Sequence, residues 1–197
     1  MKFIHIADVH LGASPNAGSA CSKKRSRELW ETFAGVIRTC EQEGIDLLLI
    51  AGDLFHRQPL RRELKEVDGM FASLSRTRVV LIAGNHDYIR RDSYYRTFPW
   101  SENVTMLREE HLEKVEFPDL SLAVYGLSYH SREIREPLYE EERPSGSWKY
   151  EILLAHGGDE NHIPIHKKEL SAMGYDYVAL GHIHKPQALE ENRMVYA

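Results

Sequence analysis

Five times along this chain a short, mostly apolar run stops abruptly on a polar word that carries Asp, Asn or His. The runs cover residues 2–7, 46–51, 79–83, 151–155 and 177–180, and the words that end them are DVH, GDLFHR, GNHD, AHG and GHIH. Runs of four to six residues are strand length, and runs without polar alternation must be covered on both faces. Between the first three lie two amphipathic stretches. Leu29, Phe33, Val36, Ile37 and Cys40 recur at helical spacing over residues 26–43, with Gly44 as the stop. Pro59 opens a second helix that places Leu60, Leu64, Val67, Phe71 and Leu74 on one face. This alternation predicts an α/β layered fold around a largely parallel sheet, and such sheets collect their ligands at the carboxyl ends of the strands.

The middle of the chain is less regular. Segments 103–107, 111–117 and 121–127 read as short strands with a turn at Pro118 and Asp119, enough for a second, mixed or antiparallel sheet packed on the first. Residues 12–22 are rich in Gly, Ala, Ser and Asn and read as a mobile loop, whereas 132–147 begin as a short helix that Pro137 interrupts. Residues 193–197 start a strand whose neighbour is absent, which points to a truncated chain.

Composition narrows the class of protein. The chain has 197 residues, 42% of them hydrophobic, which suits one domain with a substantial core. Two cysteines, Cys21 and Cys40, support neither a disulfide scaffold nor a cysteine zinc site. The opening MKFIHIADVHLG reads as a first strand and not as a secretory leader, and no apolar window reaches membrane length, so the expected location is cytoplasmic, without membrane contact. The net charge of −5 argues against bulk electrostatic binding of nucleic acid. The charge is uneven, however: residues 1–108 hold 16 basic and 13 acidic residues, and 109–197 hold 9 and 17.

Singly, each polar word has an ordinary explanation: Asp at a strand end caps a turn, a buried His satisfies a core hydrogen bond, and Gly before Asp punctuates a loop. Jointly they do not. Asp8, His10, Asp53, Asn85, His156, His182 and His184 would gather along one sheet edge, and residues two apart on a strand share a face. Imidazole, carboxylate and amide oxygen together suit Mn(II), Fe(II) or Zn(II) better than Mg(II) or Ca(II). The donors outnumber the needs of one ion, and two ions sharing a carboxylate suit phosphoryl transfer.

The ordered set DVH, GDLFHR, GNHD, AHG and GHIH resembles the calcineurin-like metallophosphoesterase superfamily. The flanking words MKFIHIADVHLG, LLLIAGDLFH, VVLIAGNHD, VYGLSY and YVALGHIHKPQ resemble its double-strand-break repair nucleases of the SbcD type, over residues 1–187. The resemblance implies a four-layer α/β/β/α sandwich with the metal site at the carboxyl ends of the strands. It implies two divalent ions, typically manganese, with Fe(II), Zn(II) and Mg(II) as alternatives. Asp8, His10 and His184 would hold one, and Asn85, His156 and His182 the other, with Asp53 bridging. His86 would serve as the catalytic residue over the scissile phosphate, and Asp87 would either orient its ring or act structurally. The implied reaction is cleavage of DNA, single-stranded or at processed ends, by a hydroxide that the two ions activate.

The same resemblance implies a coiled-coil ATPase partner of the SbcC type and a homodimer. The apolar face of 60–74 is equally compatible with packing on the sheet. Relatives continue into a capping domain, so this chain reads as the phosphoesterase domain alone, residues 1–197. Arg57 is open to a substrate contact or a salt bridge, and His56 to a substrate-side role or packing. His5 reads as structural, and His111, His130, His162 and His166 have no motif support. Two other functions remain in view: a phosphatase or phosphodiesterase acting on a small ester, and a partner-binding protein with a dead site.

Overall fold

In the computed structural model, which describes residues 1–14, 22–189 and 193–197, the apolar runs become strands whose alternate side chains serve different layers. β1 (Phe3–Ile6), β2 (Leu47–Ala51), β3 (Arg78–Ile82) and β4 (Val104–Met106) form a parallel sheet in that order. Leu48, Ile50, Val79 and Leu81 face α1 (Ser22–Gln42) and α2 (Arg61–Ala72), where they meet Phe33, Ile37, Leu64, Val67 and Phe71. Leu47, Leu49, Ala51, Val80 and Ile82 point the other way, into a second core. Period-two alternation with both faces covered is why the runs carry no polar position.

That second core is shared with a six-stranded mixed sheet. β5 (Glu113–Phe117), β6 (Leu122–Gly126), β7 (Tyr150–His156), β8 (Tyr177–Gly181), β9 (Gln187–Leu189) and β10 (Met194–Tyr196) lie in the order β5-β6-β7-β8-β10-β9. The pairs at its two edges are antiparallel and the inner pairs parallel. Leu122, Val124, Ile152, Leu154 and Ala179 face the first sheet. The outer face is covered by Tyr139, by Leu170 of the five-residue α3 (Lys167–Ser171), and by Met173 and Tyr175. The molecule is therefore the expected α/β sandwich of two sheets with helices outside, although the fourth layer is mostly irregular chain.

Several sequence expectations are corrected. No helix opens residues 132–147: Ile134 instead bridges to His162, and only a 3₁₀ turn, Leu138–Glu140, follows Pro137. A residue before proline is steered from helical backbone, which leaves this segment too few helical positions. The strand over residues 193–197 does not lack neighbours, because β10 pairs with β8 on one side and β9 on the other. Of the two readings of the apolar face of 60–74, packing on the sheet is the one that Leu64, Val67, Phe71 and Leu74 make, while Leu60 is exposed. The mobile loop expected over 12–22 falls largely outside the described residues, and Cys21 with it. Among the described residues no helix is long and apolar enough to cross a membrane.

Candidate metal centre

Each of the five strands that carry a polar word delivers it to the seam where the two sheets meet. Asp8, His10, Asp53, His182 and His184 all have positive φ, between 50° and 99°. Such backbone costs an L-residue roughly 1–2 kcal/mol, and it concentrates where function requires it. Hydrogen bonds hold the turns: the Asp8 N–H donates to the Gly52 carbonyl (3.2 Å), the His10 N–H to the Asp53 carbonyl (3.0 Å), and the His182 N–H to Asp8 Oδ2 (2.7 Å). Asp8 and His10 thus converge because the chain turns sharply after β1, not because an extended strand puts them on one face. Gly84 is required for a different reason: a Cβ there would overlap the Asp53 carboxylate and lie 2.7 Å from its amide nitrogen.

The structure brings all seven expected metal-ligating residues together. His184 Nε2 lies 3.3 Å from Asp8 Oδ1 and 3.2 Å from His10 Nε2. Asn85 Oδ1 lies 2.9 Å from His156 Nε2 and 3.2 Å from His182 Nδ1. Asp53 stands between the two groups, with Oδ2 3.7 Å from His10 Nε2 and 3.6 Å from His156 Nε2. Its Oδ1 accepts the His86 N–H at 2.9 Å, but Asp53 Oδ2 and Asp8 Oδ1 are buried with no hydrogen-bond donor among the described residues. Buried carboxylate oxygens are costly unless a donor or cation meets them. Burial, opposed by the Asp53 charge, takes His10 down to about 4, and burial likewise lowers His182, so both offer neutral lone pairs at pH 7. Orphaned carboxylates facing neutral imidazoles fit divalent cations at two adjacent positions.

His86 lies beside this centre, its ring 4.8 Å from His10 and stacked on His56 at 5.0 Å. Of the two alternatives for Asp87, its contacts are those of the structural one. Asp87 is fully buried and accepts from the Gly84 N–H (2.8 Å), the Phe55 N–H (3.1 Å) and the Tyr95 hydroxyl (2.9 Å). It therefore braces the backbone around Asn85, while His86 Nδ1 lies 3.2 Å from the His56 carbonyl. Burial first, and then the Asp53 charge, push the Asp87 carboxyl up to about 7. Arg57 is engaged by Glu63 at 2.8 and 3.1 Å, which is the salt-bridge alternative. A cleft of about 330 Å³ opens over His56, Arg57, Gln58, Asn85, His86, Tyr88 and Arg132.

Two residues at the centre carry no sequence motif. Asp159 Oδ2 lies 2.7 Å from His182 Nε2, and His162, set aside for want of a motif, has its ring 4.4 Å from that of His182. Burial opposes ionisation of Asp159, but hydrogen bonds from His182, the Asn161 N–H and His162 outweigh it and hold the carboxyl well below the usual range. The available signal was an acidic residue just past His156 in a glycine-rich turn.

Comparison with known proteins agrees with this geometry. The sequence model of a family described as calcineurin-like phosphoesterase matches residues 1–186. The chain is 33% identical over 208 residues to the metallophosphoesterase YhaO of Bacillus subtilis, covering 96% of this chain and 50% of YhaO. It is 27% identical over 213 residues to the DNA double-strand break repair protein Mre11 of Methanopyrus kandleri, covering 97% and 46%. With the Mre11 protein of Methanocaldococcus jannaschii it shares 26% identity over 200 residues, covering 94% and 52%. The chain spans about half the length of these curated relatives.

Proposed function

Because the chain belongs to the calcineurin-like phosphoesterase family, we propose that it hydrolyses phosphate esters with divalent cations held at the sheet seam, and that DNA is its substrate. The observation that carries the hydrolytic reading is Asp53, whose unpartnered Oδ2 stands between His10 on one side and His156 on the other. Asp8, His10 and His184 would hold one cation and Asn85, His156 and His182 the other, with Asp53 shared. Mn(II) suits this mixture of imidazole and oxygen donors. When bound, the cations supply Lewis-acid charge that activates water and offsets the charge of the phosphate.

The chain's own residues supply the rest. His86 can donate Nδ1–H to the His56 carbonyl, 3.2 Å away, which fixes its ring and leaves Nε2 for the substrate. In its protonated form that nitrogen delivers a proton to the departing oxygen and holds the charge developing there. Asp87 keeps Asn85 and His86 in place through the backbone. Arg132, on the wall of the cleft, can meet a phosphate next to the scissile one.

DNA as the substrate is supported by the two relatives named for double-strand-break repair, whose similarity runs through nearly all of this chain. A coiled-coil ATPase partner of the SbcC type, and a dimer, belong to the same reading of the whole protein. A small phosphate ester is the second reading. It is favoured by the pairing of two arginines, Arg57 with Glu63 and Arg90 with Asp92, which leaves neither guanidinium free for the phosphates of a long substrate.

The test is hydrolysis by the metal-stripped chain after addition of Mn(II), on a single-stranded oligonucleotide beside bis-p-nitrophenyl phosphate. The DNA reading expects Mn(II)-dependent cleavage of both, lost in Asp53→Ala and reduced at least 100-fold in His86→Ala. Hydrolysis of the small ester alone would favour the second reading. Inactivity on both, with the fold intact, would overturn the hydrolytic assignment for this chain.

A further inference from the structure

The two candidate cation positions differ in how their imidazoles are held from behind. At the position made by Asn85, His156 and His182, each ring has a pure acceptor on its far nitrogen. His156 Nδ1 lies 2.8 Å from the Ala51 carbonyl, so Nδ1 carries the proton and Nε2 faces Asn85. His182 Nε2 lies 2.7 Å from Asp159 Oδ2, so Nε2 carries the proton and Nδ1 faces Asn85. Opposite tautomers thus send both lone pairs to one place. The position made by Asp8, His10 and His184 has no such backing among the described residues. His10 Nδ1 faces another imidazole nitrogen, His56 Nδ1 at 3.3 Å, which can donate or accept, and His184 is 56% exposed.

We infer that Asp159 is a positioning residue that locks the tautomer of His182 and makes the Asn85–His156–His182 position the tighter of the two for a divalent cation. The inference rests on the metal-binding reading of the centre. A carboxylate behind a ligating imidazole fixes ring orientation and raises its basicity, and removing such a partner typically weakens metal binding 10–100-fold. Asp159 is well placed for this because its own orientation is set. Its Oδ1 accepts the Asn161 N–H (2.8 Å) and the His162 N–H (3.1 Å), and His162 Nδ1 lies 2.9 Å from Oδ1 and 3.0 Å from Oδ2. Behind the turn, the Gly158 N–H donates to the carbonyls of His162 (2.9 Å) and Ile163 (3.1 Å).

That arrangement makes Asp159→Asn a selective probe. The two backbone N–H groups require an acceptor at the Oδ1 place, so the amide oxygen goes there and the NH₂ group faces His182 Nε2. An NH₂ group only donates, so His182 must accept at Nε2 and carry its proton on Nδ1, pointing at the cation position. The turn keeps its hydrogen bonds while the ligand is inverted.

The experiment compares native and Asp159→Asn chains by ¹⁵N NMR of the imidazole rings, metal-free at pH 8, with His182→Gln to assign the signal. Calorimetric titration with MnCl₂ follows on the native and Asp159→Asn chains. The expected result is a His182 protonated on Nε2 in the native chain and on Nδ1 in the variant. Two Mn(II) ions should bind the native chain with unequal affinity, and the tighter step alone should weaken 10–100-fold in the variant. An unchanged tautomer, equal native affinities, or equal weakening of both steps would overturn the role of Asp159. Native uptake of two ions that ignores the substitution would remove this inference alone, whereas no uptake by the native chain would remove the metal reading with it.

Discussion

His5 lies inside β1, three residues before Asp8, and its Nδ1 is 3.2 Å from the Tyr177 hydroxyl of the opposite sheet. Burial, against a weaker pull from the Leu180 backbone, takes this ring down to about 4 from an ordinary 6.5. Between those values the unfolded chain binds a proton that the folded chain refuses, so stability is complete above pH 6.5 and falls as the pH drops toward 4. In His5→Gln this contribution is absent. Urea midpoints of the metal-free chains at pH 7.5, 6 and 5 should show the native chain losing more across that range, by on the order of 2–3 kcal/mol at the acid end. Parallel losses would show that His5 does not titrate differently on folding. At this scale the sequence exposes residues that interrupt apolar runs, which is why Asp8, Asp53 and His156 are legible. It hides Asp159, whose meaning depends on a partner 23 residues away that only the fold brings near.

At the scale of elements, the first turn of α2 joins stability to the cleft. Glu63 accepts the Leu60 N–H at 2.8 Å, satisfying one of the free donors at the helix start, and also holds the Arg57 guanidinium. Glu63→Ala removes both contacts and should cost about 1–2 kcal/mol, read as a lower urea midpoint with an unchanged slope. Hydrolysis of the small ester should persist in the folded variant, because Arg57 is released without disturbing a metal-ligating residue; its loss would place Arg57 in the chemistry. Pro59 marks the start of this helix to within two residues, a local signal that survives in the fold. The covering of the outer sheet is a different matter. Tyr129 and Tyr139 both donate from their hydroxyls to the His156 carbonyl, at 2.9 and 3.1 Å, and this long-range pinning shapes 128–148 more than any local propensity. Helical periodicity has nothing to say about such a segment. The edge strand β9 is similarly illegible, since three residues are too short to show alternation.

For the whole molecule, the chain completes one sheet by Met106 and begins the other at Glu113, and the charge changes character across the same boundary. The first sheet supplies Asp8, His10, Asp53 and Asn85, and the second supplies His156, His182 and His184. A cation bound there ties the sheets together and binds the folded state alone. Mn(II) at 100 times its dissociation constant should therefore stabilise the chain by about 2.7 kcal/mol, a rise in Tm of roughly 5–10 °C that EDTA reverses. An unmoved Tm would deny that cations bridge the seam.

This division also bears on inheritance. A gene that exchanged the region after β4 with that of a relative would take one sheet from each parent, with one facing core surface from each. The crossover would fall in the connection between β4 and β5, where folding tolerates it best. It would also split the reactive centre, leaving Asp53 from one parent to meet His156 from the other. Shuffled descendants of such a chain could thus be well folded and inert, unless both parents hold those two residues at the same spacing across the seam.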